Sequence, residues 1–350
     1  FFEHGGRVHA LSDGEVFAKS ESLLFLDGPI QDIVALETMY LGVLSAETTL
    51  RTDGVESIDR NLVRERMHLV VEAAEGRPVI YFGARHWRYD EDAAISSAAF
   101  EGGAAACSTD AGAITVGKFG VGTIPHVLEN VFAWRYGKER AVVEATKAFD
   151  RVIDSAVPRI ALIDYNNREI DDSLATARAL QGRLFGVRVD TCGENLAQGA
   201  VARANSPEAE QLRKLGLPFP HEGHPDAKYW YGNGVTISGV YALRQALDQA
   251  GFSSVRIVLS SGFADVAKVK AFVAAERVLG IRLFDSLGVG GVFESRAAKT
   301  DIVRAGTNSE DWQPIAKAGR GERPNSRAVL VTDEHLQQLA VALEGAQMRQ

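Results

Sequence analysis

The chain has 350 residues, 46% of them hydrophobic and 24% charged, which excludes a disordered tail, a collagen-like repeat or a small disulfide scaffold. Its 38 Lys and Arg against 46 Asp and Glu give a formal net charge of −8, so nucleic acid is not an expected partner, although a local anion pocket stays open. Glycine is the excess, 34 residues against 10 prolines, and the question is whether these are scattered or gathered where a ligand needs close backbone approach.

Taken in chain order, the first thirty or so residues hold short apolar bursts, at Val16-Phe17 and over 23–26, that read as short strands of an open sheet. Helical spacing follows in Ile30, Ile33, Val34, Met39, Tyr40, Val43 and Leu44, and a second helix runs from Ser57 through Val63, Met67 and Val70 to Ala74, closed by Gly76. From Pro78 the texture becomes short β-rich runs alternating with helices, the pattern of parallel βα units. Strands are expected at 79–82, 160–163, 184–189, 255–259 and 283–287, with helices at 142–153, 173–180, 238–250 and 266–278. The Gly- and Ala-rich stretch 93–112 has no assigned element, and the Pro-containing segment 191–234 reads as a long loop region. A basic stretch, 317–327, and an amphipathic helix over 333–343 close the chain.

Length alone suggests two domains, although a single large α/β barrel with insertions is also compatible with it. Cys107 and Cys192 form no C-x-x-C pair, so neither a zinc site nor a disulfide framework is expected, and a reducing, cytoplasmic setting is the default. No apolar run approaches membrane-spanning length. The first residue is Phe1 rather than Met, so a preceding segment is expected and that end says little about targeting.

In parallel α/β sheets and barrels, ligands bind at the carboxyl ends of the strands. The residues at those positions here are Phe82-Gly83-Ala84-Arg85, Asp164, Arg188 and Asp190, Ser260-Ser261-Gly262, and Gly288-Val289-Gly290-Gly291. Glycine turns let backbone N–H groups reach phosphate oxygens, Arg offers a fork for carboxylate or phosphate, Asp accepts from sugar hydroxyls or holds a shared cation, and Phe82 can stack on a flat ring. Together they point to a phosphorylated, hydroxyl-rich ligand. Each residue taken singly is also what an ordinary turn contains, and a mutual structural ion pair is the alternative for Arg188 with Asp190.

A series of ordered motifs carries a resemblance. They are Leu26-Asp27-Gly28-Pro29, Glu37-Thr38, Phe82-Gly83-Ala84-Arg85, Gly102-Gly103 leading to Ser108, Gly122-Thr123-Ile124-Pro125-His126, Arg188-Val189-Asp190-Thr191, Ser261-Gly262-Phe263, Gly288-Val289-Gly290 and Lys317-Ala318-Gly319-Arg320. In their order and spacing the chain resembles the nicotinate phosphoribosyltransferases, type II phosphoribosyltransferases, and in particular the shorter archaeal and bacterial ones. The resemblance implies a partial, open (β/α) barrel over 76–291 with a smaller α+β domain made from both chain ends, 1–75 completed by 292–350. It implies transfer of a phosphoribosyl group from 5-phosphoribosyl 1-pyrophosphate to nicotinate, giving nicotinate mononucleotide and pyrophosphate in NAD biosynthesis, with ATP as co-substrate, Mg²⁺ and a homodimer or higher homo-oligomer. By the same resemblance Phe82 stacks on the pyridine and Arg188 faces its carboxylate. Arg85 binds phosphate, Ser108 and Asp164 contact substrate, and Asp190 holds ribose hydroxyls. Ser261, Gly262, Gly288, Gly290 and Gly291 cradle the 5′-phosphate. His126 is the histidine that some relatives phosphorylate, or else a neutral supporting histidine; no residue is assigned as a protein-held metal ligand.

The chain departs from the family pattern in the 104–110 loop, in Asp164-Tyr165-Asn166 and in Gly291 after Gly290. Quinolinate or nicotinamide as the base, or a non-catalytic ligand-binding relative, remain alternatives. So does a metal-dependent hydrolase using His221-Glu222-Gly223-His224-Pro225-Asp226, a cluster without the spacing of a helical zinc motif.

Overall fold

A computed structural model describes residues 1–308, 310–338 and 341. These divide into two compact units, 1–37 with 321–350 and 38–320. The smaller holds an antiparallel sheet in which β1 (Arg7–Ala10) lies between β2 (Leu24–Asp27) and the strand Val329–Leu330 from the other chain end. Helix α1 (Ile30–Val34) follows β2. Val16, expected in a strand, lies outside any element and is 88% exposed. Of the closing helix, 333–338 are helical, and 339, 340, 342 and 343 lie outside the described residues.

The larger unit begins with α2 (Glu37–Asp53), separated from α1 by a turn, so the periodicity that reads as one helix is two. The buried side of α2 is Leu41, Gly42, Ser45, Ala46 and Thr49, and the apolar Met39 and Val43 face outward. Gly42 is what lets this helix approach: a Cβ there would stand 2.3 Å from the Trp87 carbonyl oxygen. The Ser45 hydroxyl donates to the Arg85 carbonyl and accepts from Ala298 N–H, and Thr49 accepts from Arg296 N–H. These bonds explain why α2 and the 292–320 segment fall within the larger unit instead of a terminal domain bounded at 75 and 292.

Helix α3 (Arg60–Ala73) starts later than Ser57, because Asp59 is the N-cap and accepts from Asn61 and Leu62 N–H. Its Val63, Met67, Val70 and Ala73 form the buried stripe expected of period 3.6. Then come β3 (Val79–Tyr81), α4 (Asp92–Glu101), β4 (Ala106–Cys107), α5 (Asp110–Ala113), α6 (His126–Tyr136), α7 (Ala141–Val152), β5 (Arg159–Leu162), α8 (Glu169–Leu180) and β6 (Leu184–Val189). The 191–234 segment carries two short helices, α9 (Pro207–Lys214) and α10 (Ala227–Trp230), where a loop is expected. After it come α11 (Ile237–Gln249), β7 (Arg256–Leu259), α12 (Val266–Leu279) and β8 (Ser286–Val289), then the small pair β9 (Arg304–Ala305) and β10 (Gln313–Pro314).

The six strands β3 to β8 form one sheet in the order β4-β3-β8-β7-β6-β5 with every neighbouring pair parallel. Two strands are left as edges, so this is the open, partial (β/α) barrel. Its strands are buried on both faces, the usual state of a parallel sheet. One register differs from expectation: β8 begins at Ser286. The Leu283 and Phe284 N–H groups are held by the Glu276 carboxylate, and Asp285 accepts from Ile257 N–H. The apolar pair at 283–284 is thus anchored before the strand, and Gly288 lies inside it.

Candidate active site

Because all six strands run the same way, the residues after each of them meet at one edge. Ladder bonds continue past the strand ends, from Phe82 N–H to the Val289 carbonyl (2.7 Å), Ser108 N–H to Tyr81 (3.0 Å), Ile163 N–H to Arg188 (3.2 Å) and Ser260 N–H to Val189 (3.0 Å). They fix Phe82 beside the β8 turn and Asp190 beside the β7 turn.

On the β5–β6 side the site is made of side chains. Asp164 is fully buried, and its Oδ1 lies 2.9 Å from His126 Nε2. The ammonium of Lys317 donates to Asp164 Oδ2 and stands 3.0 Å from that same His126 nitrogen. Nε2 has one in-plane position, so it either accepts from Lys317 or donates to Asp164. His126 opens α6, where unpaired N–H groups favour an anion. Arg188 Nη1 is 3.7 Å from Asp190 Oδ2, its Nη2 donates to the Ile124 carbonyl at 3.4 Å, and its Cζ stands 5.9 Å over the Phe82 ring. Asp190 Oδ1 accepts from the Ser260 hydroxyl at 2.7 Å.

On the β7, β8 and β3 side the site is made of backbone. Ser261 and Gly262 both have φ in the left-handed region, +68° and +82°, and the Lys268 ammonium donates to the Ser261 carbonyl at 3.1 Å. A Cβ on Gly291 would sit 3.8 Å from Ala264, so the β7 and β8 turns are neighbours; one on Gly290 would be 3.1 Å from the Phe82 carbonyl oxygen. Gly288 does something else: a Cβ there would stand 2.3 Å from the Phe82 ring, so its bare backbone makes room for that aromatic. Arg85 lies in the single turn Ala84–His86 beyond β3.

No protein-family model matches the chain. It is 26% identical over 216 residues to the nicotinate phosphoribosyltransferase pncB1 of Mycobacterium tuberculosis, covering 61% of this chain and 43% of that protein. It is 26% identical over 287 residues to pncB2 of the same organism, covering 81% of this chain and 47% of that one. The chain is a relative of nicotinate phosphoribosyltransferases. It spans about half the length of these relatives, or less. The crystal structure of the nicotinate phosphoribosyltransferase from Porphyromonas gingivalis matches in fold, with a TM-score of 0.57 at 15% identity, over 94% of this chain and 78% of that one.

With this kinship to nicotinate phosphoribosyltransferases, the electrostatics of the edge gain interest. Burial would raise the Asp164 carboxyl, but His126 and Lys317 outweigh it and hold the group well below the usual carboxylate range. Glu129, one turn along α6 from His126, is fully buried, and neither carboxylate oxygen has a hydrogen-bond partner among the described residues. Burial, reinforced by Asp164 and opposed by Lys317 and Arg188, pushes its carboxyl well above the usual range. Burial takes His86 down to about 4, helped by Arg85 and Lys299, and takes Lys268 down to about 8 against the pull of Asp265.

Sequence reasoning assigned no role to Ser260, Lys268, Glu129 or Lys317. The hydroxyl on Asp190 belongs to Ser260, whereas Ser261 supplies a carbonyl to Lys268. Lys317 carried a signal, since it stands in one of the motifs shared with the family, but no local pattern could place it on Asp164, 153 positions away. Among the described residues, the His, Cys, Asp and Glu side chains close enough to share a cation are His126, Asp164 and Asp190, within 4.8 Å of one another, and not His221 and its neighbours.

Proposed function

We propose that the chain transfers a phosphoribosyl group from 5-phosphoribosyl 1-pyrophosphate to nicotinate, releasing nicotinate mononucleotide and pyrophosphate. The observation that carries this reading is the position of Arg188: largely buried, over the face of Phe82, and 3.7 Å from the carboxylate of Asp190 two positions on. A pyridine ring on Phe82 brings its single carboxylate to one guanidinium fork, and a ribose beside it brings its hydroxyls to Asp190, which Ser260 orients. The Ser261-Gly262 and Gly290-Gly291 turns then lie where backbone N–H groups can take the 5′-phosphate.

As pyrophosphate leaves, positive charge grows at C1 of the ribose, and the protein's contribution is positioning and charge stabilisation rather than proton transfer. Asp190 holds the ribose and places negative charge near that carbon. Arg188 fixes the attacking ring, and Phe82 keeps its plane. ATP is the co-substrate in this reading. His126 is the group that would take its phosphoryl, through Nδ1, which has no partner among the described residues while Nε2 faces Lys317 and Asp164. Mg²⁺ enters in this reading with the pyrophosphate substrate, because the Lys317 ammonium already donates to Asp164 and stands against His126, so these residues do not fit a resident ion. A homodimer in the cytoplasm completes the proposal.

The test incubates the purified protein with phosphoribosyl pyrophosphate, Mg²⁺ and, in separate reactions, nicotinate, nicotinamide or quinolinate, each with and without ATP. Nicotinate mononucleotide is the expected product, formed faster with ATP. No mononucleotide from any of the three bases would overturn the enzyme reading in favour of a ligand-binding protein.

A further inference from the structure

The three side chains that converge at the carboxyl end of β5 and β6 look at first like a cation site. His126, Asp164 and Asp190 each offer one ligand atom, all within 4.8 Å of one another, and one imidazole with two carboxylates is a donor set that Mg²⁺ or Mn²⁺ accepts. Yet two of the three already face a cation. Lys317 donates to Asp164 Oδ2 and lies 3.0 Å from His126 Nε2.

We propose that the Lys317 ammonium takes the place of a divalent cation in the His126–Asp164–Asp190 cluster, as a positive charge built into the protein. Its placement is fixed by the chain around it. The Tyr165 hydroxyl donates to the Ile315 carbonyl, Ala318 N–H donates to the Tyr165 carbonyl at 2.8 Å, Asn195 donates to the Ala318 carbonyl at 2.8 Å, and Lys138 donates to the Ala316 carbonyl at 3.1 Å. Four attachments within two residues of Lys317 hold its backbone, and the side chain is only 6% exposed. Asp164 has no water-facing surface through which to recruit a hydrated ion. Small divalent ions bind through lone pairs that face them, and here the ammonium protons occupy one carboxylate oxygen and contend for the imidazole nitrogen. A second cation at the same point would also face the ammonium directly.

The consequence goes beyond the proposed transfer reaction and does not depend on it. Free of substrate, the protein has no divalent-ion site at this cluster. Lys317 is in these terms a positioning residue, since it acts on Asp164 and His126.

The experiment is a titration of the substrate-free protein with MnCl₂ followed by electron paramagnetic resonance of the free ion. The wild type is expected to show no bound Mn²⁺ that Asp190→Ala removes. Lys317→Ala, which removes the ammonium and opens the space its stem fills, is expected to gain one Mn²⁺ per chain at least about tenfold tighter than any wild-type binding. Lys317→Ala with Asp190→Ala should lose that ion again. A wild-type Mn²⁺ site abolished by Asp190→Ala would overturn the proposal, as would a folded Lys317→Ala protein that gains no ion. If Lys317→Ala does not fold, the wild type and Asp190→Ala titrations decide between the same two outcomes. Because no substrate is present, a failed product assay and a failed metal titration are separate results.

Discussion

The two sides of the strand-end rim solve the same problem by different means. At β5 and β6 the charges are carried by side chains, Lys317 and Arg188 against Asp164 and Asp190, with the Glu129 carboxyl buried beside them. At β7 and β8 the rim is backbone in tight turns, Ser261-Gly262 and Gly290-Gly291, with Lys268 under the first. Side-chain charges can be aimed at one atom but must be held in place from elsewhere in the fold, as Lys317 is held by Tyr165 and Asn195. Backbone N–H groups come oriented by the turn itself and suit an anion that needs several weak donors. A substitution on the first side should therefore strike chemistry, and stability as well where it strands a buried charge, whereas one on the second should act through local fit.

The largest break is expected from Asp190→Ala. Removing a group that stabilises charge in the transition state costs roughly a hundred- to a thousandfold in turnover. Asp190 is partly exposed and bonded through Ser260, so its loss should leave the melting temperature nearly unchanged. A variant with wild-type turnover would show that the β6 end is not where the ribose sits. Next comes Asp164→Asn, which strands the buried Lys317 ammonium without its carboxylate and should cost about 3–5 kcal/mol in chemical unfolding. The sign with pH is set: the folded Asp164 carboxyl lies below its unfolded value, so its stabilisation is present above about pH 4 and is lost as pH falls below it. The Asn variant should lack that part of the acid loss, and an identical acid profile would mean that Asp164 is not the charged member of the pair.

The two sides also differed in how far the sequence could reach them. Strand β6 and the turns after β7 are legible because their signals are local: an apolar run, then a polar or glycine residue. Gly288 is a local signal with another meaning. The strand starts three residues late because Glu276 and Ile257 tie down 283–285, and the glycine then falls inside the strand under the Phe82 ring instead of in the turn that follows. Lys317 and Glu129 were out of reach for a different reason. One is brought to Asp164 by tertiary hydrogen bonds, and the other is a carboxyl on a helix whose burial no periodicity reveals. The terminal boundary at 38 is likewise set by a close helix contact at Gly42 and not by composition.

Gly288→Ala sharpens the comparison from the backbone side. Its Cβ would stand 2.3 and 2.6 Å from two Phe82 ring carbons, so the ring must shift, at about 2 kcal/mol of stability, a value typical of overpacking. The expected kinetic mark is a raised KM for the pyridine with little change for phosphoribosyl pyrophosphate. Phe82→Leu in the same chain should restore much of the stability; a KM change confined to phosphoribosyl pyrophosphate would return Gly288 to the phosphate cradle.

The smallest effect tests the lysine beneath the Ser261 turn. Burial holds the folded Lys268 ammonium near 8, below its ordinary value of 10.5, so between these values the unfolded chain binds more protons than the folded one. Its charged form is thus a liability in the folded state that is complete below about pH 8 and is relieved as pH rises towards the unfolded value. From pH 7 to pH 9 the relief is about 1 kcal/mol by the linkage relation. The comparison must be made against Lys268→Met, because tyrosines also begin to titrate at the alkaline end and act equally on both proteins. Urea unfolding at the two pH values should show the wild type gaining on the variant by about that amount as pH rises. A difference that stays constant would mean that the ammonium is as well solvated folded as unfolded, and that the Ser261 carbonyl is held by an ordinary surface lysine. The same measurement in the presence of inorganic phosphate adds the decisive contrast: an anion at the Ser261-Gly262 turn favours the charged ammonium, so phosphate should flatten the pH dependence of the wild type and leave that of Lys268→Met unaltered.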